Sequence, residues 1–219
     1  MIEANAANFG ELQTALLQLN QQRGCLFRGV PRYEYDLRPS VGREANYTPD
    51  LQKNSMWLFK AHSAPHCTKT PANEWEWLSL AQHHGLPTAL LDWTRNPLVA
   101  LYFAVHSSLE TDGAMYCMTS TPPLLMPDDP RAPHQVHDVT GIFSPHVSPR
   151  MAAQSGLFTY HPRPDIAYDG NHVLKYRVPA PAKAEMQHLL EQYGVHAAAL
   201  FPSLDGVTAY IRWLKGFPP

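Results

Sequence analysis

Cysteine is scarce in this 219-residue chain: Cys25, Cys67 and Cys117 are its only three. They are odd in number, widely spaced and without a CxxC pair, which argues against a disulfide framework or a zinc cluster. Charge is also sparse, at 16% of residues with a net charge of −2. No broad attraction to nucleic acid or an anionic membrane follows from such a balance. No run approaches the ~20 apolar residues of a membrane span. The N-terminus lacks the basic flank and apolar stretch of a signal peptide, so the expected location is cytoplasmic, with no membrane partner. The one excess is proline, at 21 residues. That favours fixed turns and extended connections over a helical bundle.

Periodicity predicts an α+β chain. A helix is expected from Asn8 to Gln22, where Asn8 and Glu11 form a capping-box pattern before Leu12, Leu16 and Leu19. Further helices are expected over Leu51–His62, with Met56, Leu58 and Phe59 in the core, and from a cap at Asn73 to His83, stopped by Gly85. Asn96-Pro97 starts another, running to Ser107, whose nearly all-round apolar surface makes it central. Ser148-Pro149 repeats the signal for a short helix, and the last two helices cover Ala182–Tyr193 and Ser203–Leu214. Strands are expected at 25–28, 89–93, 114–118, 157–160, 172–178 and 197–201. The stretches 62–71 and 121–133 read as loops. No repeat or linker interrupts the chain, so 1–219 reads as one domain, with a motif core of about 25–160 and a C-terminal strand–helix segment at 172–215.

Three segments set polar groups in apolar surroundings at strand ends, where ligand sites are often built. The first is Phe27-Arg28-Gly29, an apolar strand ending in an arginine that must pair or meet an anion. The second runs from Gln82-His83-His84-Gly85 through Asp92-Trp93-Thr94 to Asn96-Pro97. The third is Arg150 to Thr159, with Gln154 and Phe158. Arg28 lies among Arg32, Arg38 and Arg43, a cluster that serves a local basic groove or a solvated surface equally well. Bland roles stand beside each of these. Arg28 paired with Asp92 would be a structural ion pair. His83 and His84 at a helix end would bond its last carbonyls, Asn96 would only cap, and Phe103 would be core. The twelve histidines form no HExxH helix pair, and Pro65 interrupts the His62/His66 spacing, so no metal ligands are assigned.

These segments, with Arg38-Pro39-Ser40, the run from Ala81 to Thr94, Asn96 to Ala104, Gln154 to Thr159 and Leu200 to Gly206, resemble the FRG-domain family, named for its Phe-Arg-Gly motif. The Arg-Gly strand is also similar to the first NAD-binding strand of arginine-type ADP-ribosyltransferases. Asp92-Trp93-Thr94 followed by Ala100-Leu101-Tyr102-Phe103-Ala104 is similar to their second strand and helix. Gln154 stands where their third strand carries glutamate. This second resemblance implies a split mixed β-sheet core with flanking helices, NAD as substrate, and ADP-ribose transfer to a macromolecular acceptor, protein or nucleic acid. It implies a bacterial toxin or anti-phage effector, with a possible neutralising antitoxin. Arg28 and Gly29 would hold the diphosphate, Thr94 would lie beside it, and Tyr102, Phe103 or Phe158 would stack on the nicotinamide. Asp92 would face the ribose, with Gln154 and His84 acting on a hydroxyl or the acceptor. The competing expectation is a non-catalytic binding module built on the same motifs.

Overall fold

The computed structural model describes residues 2–5, 8–19, 24–67, 69–126, 129–142, 149–170 and 172–217. Strand β1 (Ile2–Asn5) precedes helix α1 (Phe9–Leu19), which the Glu11 amide and the Asn8 side chain cap at 2.9 Å; the expected extension over 20–22 lies outside the described residues. Next come β2 (Leu26–Val30), α2 (Pro49–Ser63), α3 (Glu74–His83), β3 (Leu90–Thr94), α4 (Pro97–Val105) and β4 (Gly113–Met118). The order continues with β5 (Leu124–Leu125), β6 (Thr140–Ile142), α5 (Pro149–Ala153), β7 (Gly156–Tyr160) and β8 (Val173–Val178). Helices α6 (Lys183–Gln192), α7 (Ala197–Leu200) and α8 (Leu204–Leu214) close the chain.

The strands form one mixed sheet in the order β1-β8-β4-β2-β3-β7-β6-β5. The outer pairs β1/β8 and β5/β6 are parallel and the rest antiparallel. The sheet narrows at one join. β2 pairs with β4 from Leu26↔Met118 to Val30↔Ala114, and β3 with β7 from Leu90↔Tyr160 to Thr94↔Gly156, but β2 and β3 share only Phe27↔Thr94. Two half-sheets therefore meet at a single residue pair.

Each half has its own helical cover. α3 sets Trp75 and Leu78 against Leu90, Phe158 and Tyr160. Its start is capped by Asn73 and its end reverses at Gly85 (φ +85°), with the Leu86 amide bonded to the Ala81 carbonyl. α4 crosses β2 so closely that a Cβ on Gly29 would stand 1.7 Å from the Ala100 carbonyl oxygen, and one on Gly113 would stand 2.4 Å from that of Ala104. As its all-round apolar sequence required, most of α4 is buried, including Val99, Ala100, Leu101, Tyr102, Ala104 and Val105.

Lys183, fully buried, joins three segments. Its Nζ donates to the carbonyls of Pro31, Ser107 and Ser108 at 2.8, 3.1 and 3.0 Å. It locks the ends of β2 and α4 to the start of α6.

Several expectations change. Residues 197–200 are helical, because a run of alanines has high helix propensity and His196 Nδ1 accepts from the Ala199 amide at 3.3 Å. Leu58 is exposed at 47%, and Met56 and Phe59 are only half-buried, since α2 contacts little besides α3 and contributes no fully buried residue. The stretch after α2 begins with a 3-10 turn at Ala64–His66, and the proline-rich 121–133 segment contains β5. Strands β1, β5 and β6 were not anticipated, being two to four residues long and too short for alternation to register. The Ser148 cap lies outside the described residues.

Because the Gly29 contact is with backbone, no side-chain rotation relieves it. Gly29→Ala is expected to lose about 3 kcal/mol or more of stability, read as a lowered urea midpoint with native-like spectra for any protein that folds.

Candidate functional site

At the narrowed join the strands part, and a cleft of about 290 Å³ opens between them. All three sequence segments reach it. β2 brings Arg28 and Gly29, β3 brings Asp92 and Thr94, and α5 with β7 bring Arg150, Gln154 and Phe158. The backbone ties the latter two segments together: Thr94 Oγ1 donates to the Gln154 carbonyl at 2.7 Å, and the Arg95 amide donates to that of Ser155 at 3.3 Å.

Arg28 lies at the centre of this join. Its Nη1 donates to the Asp92 backbone carbonyl at 2.8 Å and lies 3.5 Å from the Asp92 carboxylate. The side chain thus bridges β2 and β3 where the ladder is absent. Its Nε is buried without a hydrogen-bond partner among the described residues. Burial pulls the Arg28 pKa down and Arg43 adds to the pull, while Asp92 opposes it. The Asp92 side chain, by contrast, is 58% exposed. It accepts from Gln82 Nε2 at 2.8 Å, and Gln82 Oε1 accepts from Thr88 Oγ1 at 2.6 Å. One amide therefore fixes the carboxylate through its donor end and is itself fixed through its acceptor end.

The remaining assigned residues fall differently. Thr94 is buried and its hydroxyl is spent, donating to Gln154 and accepting from the Asn96 amide at 3.0 Å. It builds the cleft wall and offers no free hydroxyl. Gly29 lines the cleft, but the close approach of α4 already demands glycine there.

Tyr102 is not in the cleft. It faces α6 and α8, lining a small void with His106, Glu191 and Tyr210, because successive residues of a helix point about 100° apart. Phe103 takes the cleft position instead, so a residue expected in the core lines the ligand space. The histidines exchange places too. His84 is the exposed C-terminal cap residue of α3, and half-buried His83 lines the cleft. Burial pulls the His83 pKa down, with His84 and Arg150 adding to it and Asp92 opposing. Gln154 Nε2 donates to the Leu200 carbonyl at 3.1 Å, leaving its carbonyl end as the group that can accept from a ligand.

Gln82 and Arg150 carried no sequence assignment. Gln82 begins a motif, but only the fold brings it to Asp92. Arg150 is exposed, packs its guanidinium over Phe201 at 4.6 Å, and adds a second positive charge to the cleft. Among the described residues, Asp92 is the one carboxylate lining it.

With this geometry in view, residues 23–113 match the model of the FRG domain. These residues carry an FRG domain. The matched span covers Arg28, Gln82 and Asp92, whereas Arg150, Gln154 and Phe158 lie beyond it. No curated protein and no solved structure matches the chain. Among the described residues of the chain, no helix is long and apolar enough to cross a membrane.

Behind the cleft lies a buried polar relay. Trp93 Nε1 can only donate, and does so to Thr159 Oγ1 at 2.8 Å; Thr159 Oγ1 and His161 Nε2 share a further hydrogen bond, also of 2.8 Å. His161 is itself buried. Burial first, and Arg28 second, lower its pKa to about 4. The unfolded chain, with a histidine pKa near ~6.5, binds the proton first. Stability is then full above that value and falls as pH drops toward about 4. The expected loss is about 3 kcal/mol, and His161→Gln should flatten it in urea titrations between pH 7 and pH 4.

Proposed function

We propose that the cleft binds NAD at the join of the half-sheets and transfers ADP-ribose to a macromolecular acceptor. The observation that carries this reading is the convergence of Arg28, Arg150 and the Asp92 carboxylate on one partly apolar cleft. Guanidinium groups suit the diphosphate, which they bind through paired N–H donors. Arg28 keeps a buried Nε that has no partner among the described residues and is available for such use. The volume is small for a whole dinucleotide, so the nicotinamide–ribose end is the part placed inside, against Phe103 and Phe158. The adenosine half extends toward the exposed rim at Arg150.

Cleavage breaks the bond between ribose C1′ and the nicotinamide nitrogen, and the electron pair leaves with the ring as neutral nicotinamide. The ribose develops oxocarbenium character, which the fixed carboxylate of Asp92 stabilises. An acceptor nucleophile then bonds to C1′ and gives up its proton to solvent or to His83. Gln154 accepts from a ribose hydroxyl and cannot act as a base. In a bacterial cell such an activity suits a cytoplasmic toxin or anti-phage effector restrained by an antitoxin.

One observation favours a second reading. Asp92 already has partners in Arg28 and Gln82, as it would in a binding module whose polar groups only shape the cleft.

Nicotinamide release from NAD, followed by chromatography with titration calorimetry alongside, separates the two. The transferase reading expects release that falls about 100-fold or more in Asp92→Asn, with NAD affinity changed only a few-fold. Arg28→Lys should weaken binding about 10-fold or more through loss of the bidentate contact. NAD binding without release would support the module, and no binding at all would remove the NAD reading.

A further inference from the structure

Helix α8 owes little to the core, with Gly206 its one buried residue. A helix of this length is marginal in water unless it packs an apolar face. That face exists and is turned outward. Leu204, Val207, Ile211 and Leu214 are 86%, 42%, 48% and 51% exposed, and Phe217 just beyond is 58% exposed. The other side of α8 is already engaged. The Tyr210 hydroxyl donates to Glu191 at 2.8 Å and Trp213 Nε1 to Gln187 at 3.2 Å, so the stripe cannot roll inward.

The apolar positions are spaced by three, four and three residues, the spacing of a and d positions in a coiled-coil seam. Such a series reads the same in either direction, so the stripe is its own antiparallel complement. We infer that α8 is the interface of a two-fold dimer, packed antiparallel against α8 of a second copy. Leu204 then meets Leu214 of the second copy, and Val207 meets Ile211.

Charge agrees with this direction. Asp205 lies in the first turn, and Arg212 and Lys215 lie at the other end. An antiparallel pair sets acid beside base and opposes the helix dipoles, whereas a parallel pair would align like with like. The stripe offers roughly 500 Å² per copy, so the pair covers about 1,000 Å², the lower limit for a specific interface. Dissociation in the range of about 10–100 μM is expected of an interface that size.

Sedimentation velocity from about 5 to 500 μM tests the proposal on the full chain. The native protein should pass from monomer to dimer. Val207→Lys with Ile211→Lys should stay monomeric across the range, with circular dichroism and melting that match the native protein at about 5 μM, where it is monomeric, because both positions are exposed. Mixing Leu204→Cys with Leu214→Cys protein should give more disulfide-linked pairs than either alone, and mass mapping would place the link between those two positions. A monomer throughout the range overturns the inference. So does a dimer indifferent to the two lysines, or a preference for Leu204→Cys pairing with itself.

Discussion

A guanidinium between two strands that pair at a single point holds this molecule's two halves in relation. Residues beyond Phe27↔Thr94 have no ladder between β2 and β3, and Arg28 donates to the Asp92 carbonyl in its place. A backbone carbonyl that would lack its strand partner is thereby satisfied, which matters because unpaired buried backbone groups are costly. The same substitution of side chain for strand creates space. A complete ladder would close the cleft, and an unbridged gap would leave the halves free to part.

The position of that bridge is set from both sides by close packing and by further polar contacts. On one side α4 lies almost against the backbone of β2 and β4, admitted by Gly29 and Gly113. Lys183 then fixes the far ends through three carbonyls. On the other side, Trp93, Thr159 and His161 form a closed relay beneath β3 and β7. Asp92 therefore projects from a strand whose neighbours cannot readily shift, and Gln82 holds its carboxylate in place. A cleft framed this way offers preorganised charge, the property that both anion recognition and stabilisation of a developing cation require.

Local signals were legible where one residue type has one physical use. The caps at Asn8, Asn73 and Asn96, the stop at Gly85, the buried α4 and the oddness of Arg28 all followed from short-range chemistry. Misreadings came where a residue's role depends on direction. Tyr102 and Phe103 are neighbours in sequence but face different cavities, and His83 and His84 divide between cleft and solvent. Thr94 has the hydroxyl a ligand could use, yet its bonds are already made inside the wall.

By itself, the sequence determined the mixture of helices and strands, the FRG motif, and the three segments that line the cleft, because capping, turn chemistry and motif order act over a few residues. Tertiary structure alone decided that β2 and β3 meet at one pair, that Gln82 and Arg150 join the cleft, and that α8 keeps its apolar stripe outside. Each of these depends on which strands become neighbours and how helices are rotated, and long-range packing sets both.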